Sequence, residues 1–219
     1  TRSNIIYYLL GEKNKCILVT SSIPNEGKTY FSIHLANSFA STNNKTVLLD
    51  FDLRKKEQIL SQFNTKNQPG VSSYLIKQSE IDDIIIDTEI ANMDYIHCGE
   101  IPPDPVSLIS NGRMDELFEF LKKNYDYIIL DTPPYSMVTD AFLLMKYTDL
   151  NLLVSRLGVV TKKALRNTME DIQSKKFNNV YAIFNDISKN DKGYNEKYAY
   201  GADKKVRLSL FKRIFKRNK

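Results

Sequence analysis

Apolar residues fall along this chain in short runs bounded by polar turns, and the runs alternate with stretches whose apolar positions recur at helical spacing. Strand-like runs lie near 16–20, 46–50, 94–97, 127–131, 150–155 and 180–185. Helical periodicity predicts helices near 29–42, 71–78, 112–124, 139–147 and 161–175. Such alternation predicts an α/β fold built on a doubly wound, mainly parallel sheet. The 219 residues can hold one domain of this class, and a hydrophobic fraction of 42% is ordinary for a globular core. All seven prolines fall in the expected loops, where a missing amide donor does least harm.

The first strand, Cys16-Ile17-Leu18-Val19, runs into Ser21-Ser22-Ile23-Pro24-Asn25-Glu26-Gly27-Lys28-Thr29 and then into a predicted helix. The loop fits the phosphate-binding pattern G-x-x-x-x-G-K-[ST], except that Ser22 replaces its first glycine. In a strand-loop-helix setting, loop amides and the helix N-terminus point at one spot and make an anion cradle. Lys28 can then reach the β- and γ-phosphates, and the Thr29 hydroxyl can reach Mg²⁺.

Two further strands end in acid: Val47-Leu48-Leu49-Asp50-Phe51-Asp52-Leu53-Arg54 and Tyr127-Ile128-Ile129-Leu130-Asp131-Thr132-Pro133-Pro134. Ligands of an open parallel sheet gather at the carboxyl ends of its strands, so Asp50, Asp52 and Asp131 are expected beside the phosphate loop. Mg²⁺ with a triphosphate gives carboxylates a reason to sit there.

Together these segments resemble the bacterial tyrosine kinases (BY-kinases) that regulate capsular and exopolysaccharide synthesis and export. The modified Walker A motif of that family is matched by Ser21, Pro24, Gly27, Lys28 and Thr29, its Walker A′ motif by Val47 to Arg54, and its Walker B motif by Asp131, Pro133 and Pro134. The resemblance implies a P-loop NTPase fold and ATP with Mg²⁺ as cofactors. It implies nucleotide binding by Ser22, Pro24, Asn25, Glu26, Gly27, Lys28, Thr29 and Tyr30. It implies Mg²⁺ at Thr29, Asp52 and Asp131, and catalysis by Lys28, Asp50 and Asp52, with Asp50 drawing the proton from the attacking tyrosine. A phenol with a pKa near 10 needs such a base or a metal field at neutral pH. Arg54 and Arg156 are candidates to neutralise the transferring phosphoryl group or, equally, to pair with structural carboxylates. Asn185, at the end of the last strand, reads as a purine contact or as an ordinary strand-end turn.

Composition removes other classes. Two cysteines, Cys16 and Cys98, offer no disulfide framework or metal cluster, and the two histidines, His34 and His97, read as structural. Apolar stretches are much shorter than the roughly 20 residues needed to cross a bilayer, and no signal peptide is visible. The chain starts at Thr1 in a segment similar to the middle of a family motif whose upstream helix assembles subunits into a ring, so it is expected to be a soluble piece of a longer protein. The resemblance places the intact protein on the cytoplasmic side of the bacterial inner membrane, working with its own transmembrane region or with a membrane-embedded activator.

The net charge of +5 resides in the C-terminal end, where eight Lys or Arg face one Asp from Asp203 to Lys219. The expected organisation is a kinase domain over 1–185, a mobile tyrosine-bearing segment over 186–203 and a basic amphipathic tail over 204–219. That tail suits an anionic membrane or a frayed terminus; nucleic-acid binding is not expected, because no groove-reading element accompanies it. Tyr194, Tyr198 and Tyr200 stand where the family carries tyrosines phosphorylated in trans. The leading expectation is a protein tyrosine kinase acting on its own tail and other proteins. The alternatives are a Min/Par-type partition ATPase, whose signature lysine is replaced here by Ile23, and a non-catalytic nucleotide-sensing scaffold for polysaccharide export.

Overall fold

The strands of the central sheet carry consecutive apolar residues because both of its faces are covered. In the computed structural model, which describes residues 2–9, 15–53, 68–110, 112–135, 140–175, 177 and 179–186, seven strands form one sheet. They are β1 (Lys15–Ser21), β2 (Thr46–Asp50), β3 (Ile86–Asp87), β4 (Met93–Ile96), β5 (Tyr127–Asp131), β6 (Leu150–Arg156) and β7 (Val180–Asn185). Their spatial order is β3-β4-β2-β5-β1-β6-β7, parallel throughout except for the β3–β4 pair. Every predicted strand is present. The short β3 was not predicted, since two residues carry no readable period.

Seven α-helices occur among the described residues: α1 (Arg2–Tyr8), α2 (Lys28–Ala40), α3 (Val71–Leu75), α4 (Pro105–Ile109), α5 (Arg113–Asn124), α6 (Asp140–Leu144) and α7 (Lys162–Ser174). Successive strand residues divide between two cores. Ile17, Val19, Leu48 and Ile129 pack with Leu35, Ala36 and Phe39 of α2 and Ile5 of α1. On the other face Cys16, Leu18, Leu49 and Leu130 pack with Leu75 of α3, Ile109 of α4 and Leu144 of α6. Met114, Leu117, Phe118 and Leu121 of α5 join that second core at helical spacing. Leu153 of β6 meets Leu165, Met169 and Ile172 of α7.

Three differences from expectation have local causes. Helix α3 stops at Leu75 because Lys77 adopts φ 64° and the Gln78 amide donates back to the Ser73 carbonyl, a C-terminal reversal made without glycine. Pro105 is not in a loop: it opens α4, where its missing N–H costs nothing, behind an Asp104 cap that accepts from the Ser107 amide. Helix α1 is fastened by Arg2 donating to the Ser38 carbonyl at 2.7 Å and by Tyr8 stacking on Tyr181. No helix among the described residues is long and apolar enough to cross a membrane.

One backbone crossing holds the far side of the sheet's carboxyl edge. The amides of Val71 and Ser72 donate to the carbonyls of His97 and Cys98, so the start of α3 lies against the segment leaving β4. Gly70 sits so close that a Cβ there would lie 2.4 Å from the Gly99 nitrogen. Gly70→Ala is therefore expected to cost about 1–3 kcal/mol of stability, as forced overpacking does, measured by urea unfolding against the parent protein.

Candidate active site

Register places the acids. Asp131 pairs with Val19 of β1 on one side and with Asp50 of β2 on the other, so the phosphate loop and both carboxylates leave the sheet at one level. The Phe51 amide donates to the Asp131 carbonyl at 2.8 Å and carries that alignment one residue beyond the strand, towards Asp52. Lys28, the first residue of α2, turns into this group. Its Nζ lies 3.7 Å from Asp52 Oδ2 and 3.7 Å from Asp131 Oδ2, and 3.2 Å from the Thr29 hydroxyl.

Around Asp131 the bonding is dense. Thr29 Oγ1 donates to its Oδ2 at 2.6 Å, and Ser32 Oγ lies 3.2 Å from its Oδ1. Ser32 was not foreseen from the sequence, although its place four residues after Lys28, on the buried face of α2, was a usable signal. The Asp52 amide donates to Asp50 Oδ1 at 3.0 Å. Three buried carboxylates thus face one buried ammonium.

That imbalance sets the protonation. Burial, followed by the charge of Asp131, pushes Asp50 up to about 7; its bond from the Asp52 amide pulls the other way, the Asp52 carboxylate raises it further, and Lys28 opposes the rise. Burial also raises Asp131, against Lys28, Thr29 and Ser32. Cys98, nearby at the end of β4, is pushed up to about 12 by burial and then by Asp50 and Asp52, as befits a structural thiol.

The loop itself has the shape of an anion nest. Asn25 has φ 65° and Gly27 φ 87°, and the first amides of α2 have no acceptor within the helix. Gly27 is favoured by its positive φ, and a Cβ there would lie 2.4 Å from Asn185 Nδ2 and displace that side chain. Pro24 is half-buried, Asn25 and Tyr30 are exposed, and the Tyr30 ring leans on His34 at 4.2 Å. Ser22 Oγ is buried with no hydrogen-bond partner, so the loop holds a polar atom that a bound ligand could satisfy. Hard oxygen donors at Thr29, Asp52 and Asp131, in a site with excess negative charge, fit Mg²⁺. Among the described residues no group of three His, Cys, Asp or Glu is arranged to hold a metal ion.

Three expected residues are bonded to protein groups at the edge of the loop. Arg156 is engaged by Asp186, with Nη2 2.9 Å and Nε 3.0 Å from Oδ2, so of its two expected roles the structure displays pairing with a carboxylate. Asn185 donates from Nδ2 to the Glu26 carbonyl at 3.0 Å and accepts from the Asp186 amide. Glu26, expected on the nucleotide, is fully buried and accepts from two amides. Arg54, Tyr194, Tyr198, Tyr200 and the tail over 204–219 lie outside the described residues.

Known proteins carry the same organisation. The AAA domain family model matches residues 15–183. A Klebsiella pneumoniae protein described as a putative tyrosine-protein kinase in the cps region is 36% identical over 178 residues, covering 81% of this chain and 24% of that protein. The tyrosine-protein kinase CpsD of Streptococcus pneumoniae serotype 4 is 34% identical over 166 residues, covering 75% of this chain and 73% of CpsD. The chain belongs to the bacterial tyrosine-kinase family.

The solved kinase domain of the Escherichia coli tyrosine kinase Etk superposes with a TM-score of 0.81 at 30% identity, covering 92% of this BY-kinase chain and 78% of the Etk chain. A plasmid partition protein from Borrelia burgdorferi, with a TM-score of 0.63 at 20% identity over 86% of this chain and 85% of its own, shares the fold alone. The chain spans about a quarter of the length of the Klebsiella relative.

Asp50 gives this BY-kinase chain a measurable pH signature. In the folded protein Asp50 keeps its proton up to about pH 7, whereas the unfolded chain loses it near 3.8. Its contribution to stability is therefore greatest below the lower value and is lost as pH rises through the upper one. Asp50→Asn, free of nucleotide and divalent cation, should raise the melting temperature most at pH 8, less at pH 5 and least below the unfolded value of 3.8, by scanning calorimetry.

Proposed function

We propose that this chain is the catalytic domain of an ATP-dependent protein tyrosine kinase. The observation that carries the proposal is geometric: the phosphate-loop lysine faces Asp52 and Asp131, and the strand register sets Asp50 beside Asp131. A base matched to neutral pH is what a phenol nucleophile requires.

On this reading, Lys28 and the amides from Asn25 to Thr29 orient the phosphates, and Asp50 accepts the proton of the incoming tyrosine hydroxyl. Thr29, Asp52 and Asp131, directly or through water, would hold Mg²⁺, which when bound neutralises charge on the phosphates. Ser22 and the loop flanks Pro24 and Tyr30 border the nucleotide, and Asn185 faces its base. The acceptors are Tyr194, Tyr198 and Tyr200, phosphorylated in trans within a ring of subunits of the intact protein, and tyrosines of other proteins. The domain boundaries are those expected from sequence: kinase over 1–185, acceptor segment over 186–203 and basic tail over 204–219. The intact protein would work at the cytoplasmic side of the inner membrane, with a membrane-embedded activator or transmembrane region of its own, and regulate capsular or exopolysaccharide polymerisation and export. Each phosphorylation would add roughly −1.5 to −2 charge to the acceptor segment.

Incubation of the full-length protein with Mg-ATP, followed by phosphotyrosine mapping by mass spectrometry, tests this reading. Phosphate is expected on Tyr194, Tyr198 and Tyr200, lost in Lys28→Ala and reduced about 10²- to 10⁴-fold in Asp50→Asn, the range for removal of a general base. ATP hydrolysis without phosphotyrosine would replace the proposal by a partition-type ATPase, and binding without turnover by a nucleotide-sensing scaffold.

A further inference from the structure

Glu26 presents a puzzle of charge. It lies two residues before Lys28, in the loop that would cradle phosphates, and is 0% exposed. An acid in an anion site opposes the ligand unless its charge is engaged elsewhere. Here both oxygens are engaged: Oε2 accepts from the Ile23 amide at 2.9 Å and Oε1 from the Arg156 amide at 3.0 Å. The Glu26 carbonyl accepts from Asn185 Nδ2 at 3.0 Å. One residue therefore ties the loop to itself, to the end of β6 and to the end of β7.

We infer that Glu26 is a positioning residue, whose carboxylate locks the phosphate loop to the end of β6 before nucleotide arrives. Two geometric facts support a locking role. The Ile23 amide is turned inward onto Glu26 and Pro24 has no amide, so the cradle is confined to the amides from Asn25 onward. The same bonds seat Glu26 so that Asn185 closes over Gly27, where a Cβ would push the Asn185 amide aside. The chemistry is specific to a carboxylate, because two N–H donors converge and only a group that accepts at both oxygens satisfies them. Glutamine would set its own NH₂ against one of the two amides, and aspartate is one methylene shorter.

The inference rests on the nucleotide-binding reading of this loop, and its test uses no phosphotyrosine, so the kinase assignment can fail without it. In the nucleotide-free parent protein, hydrogen exchange followed by NMR should show the Ile23 and Arg156 amides already protected. In Glu26→Gln these two amides should exchange about 10- to 100-fold faster, as expected for losing bonds to a charged acceptor, while β5 amides stay unchanged. Mg-ADP affinity, measured by calorimetry well below the melting temperature, should fall by a similar factor. Leu121→Ala on α5 is the structural control: it should lower the melting temperature and leave Mg-ADP affinity within about twofold, since the cavity lies in the core. Unprotected Ile23 and Arg156 amides in the parent protein would overturn the inference even if Glu26→Gln failed to fold. So would a folded Glu26→Gln that binds Mg-ADP as the parent does.

Discussion

The register of β1, β5 and β2 is the constraint from which the site follows. With Val19, Asp131 and Asp50 side by side, the sheet delivers the phosphate loop and two carboxylates to one edge, and the chain beyond β2 brings in Asp52. Shifting β5 by one residue would turn Asp131 to the other face and expose its apolar neighbours to the wrong layer. Burial of Ile129 against α2 and of Leu130 against the opposite core forbids that shift. Hydrophobic packing thus positions a charged group that packing alone would reject.

Lys28 is the counterweight. Among buried groups a carboxylate without a partner is costly, and three around one ammonium cannot all be compensated. The structure resolves the excess in different ways. Asp131 receives hydroxyls from Thr29 and Ser32, Asp50 accepts an amide hydrogen from Asp52, and both are raised by burial. What differs between the two acids is the bonding: hydroxyls at Asp131, a backbone amide at Asp50.

Much of this was legible in the chain. Consecutive apolar runs ending in Asp located β2 and β5, because a strand buried on both faces has no other place for a charge than its end. The spacing of Gly27, Lys28 and Thr29 located the loop, because backbone conformation there is dictated locally. What escaped was long-range: that Glu26 would meet an amide 130 residues away, that Arg156 would pair with Asp186 and that Asn185 would close over Gly27. Such contacts depend on how β6 and β7 are laid beside β1, and no local pattern encodes them. Helix α4 escaped for a different reason, since Pro105 was placed in a loop where it serves as a first helical residue.

The surplus of acid beside Lys28 bears on the form in which a nucleotide can enter. A triphosphate without its cation would meet carboxylates on its way to the loop and be repelled by them; the same triphosphate carrying a divalent ion brings its own neutralisation and adds hard-oxygen bonding that the carboxylates can complete. On the proposed reading, the arrangement is a filter on the charge state of the incoming ligand.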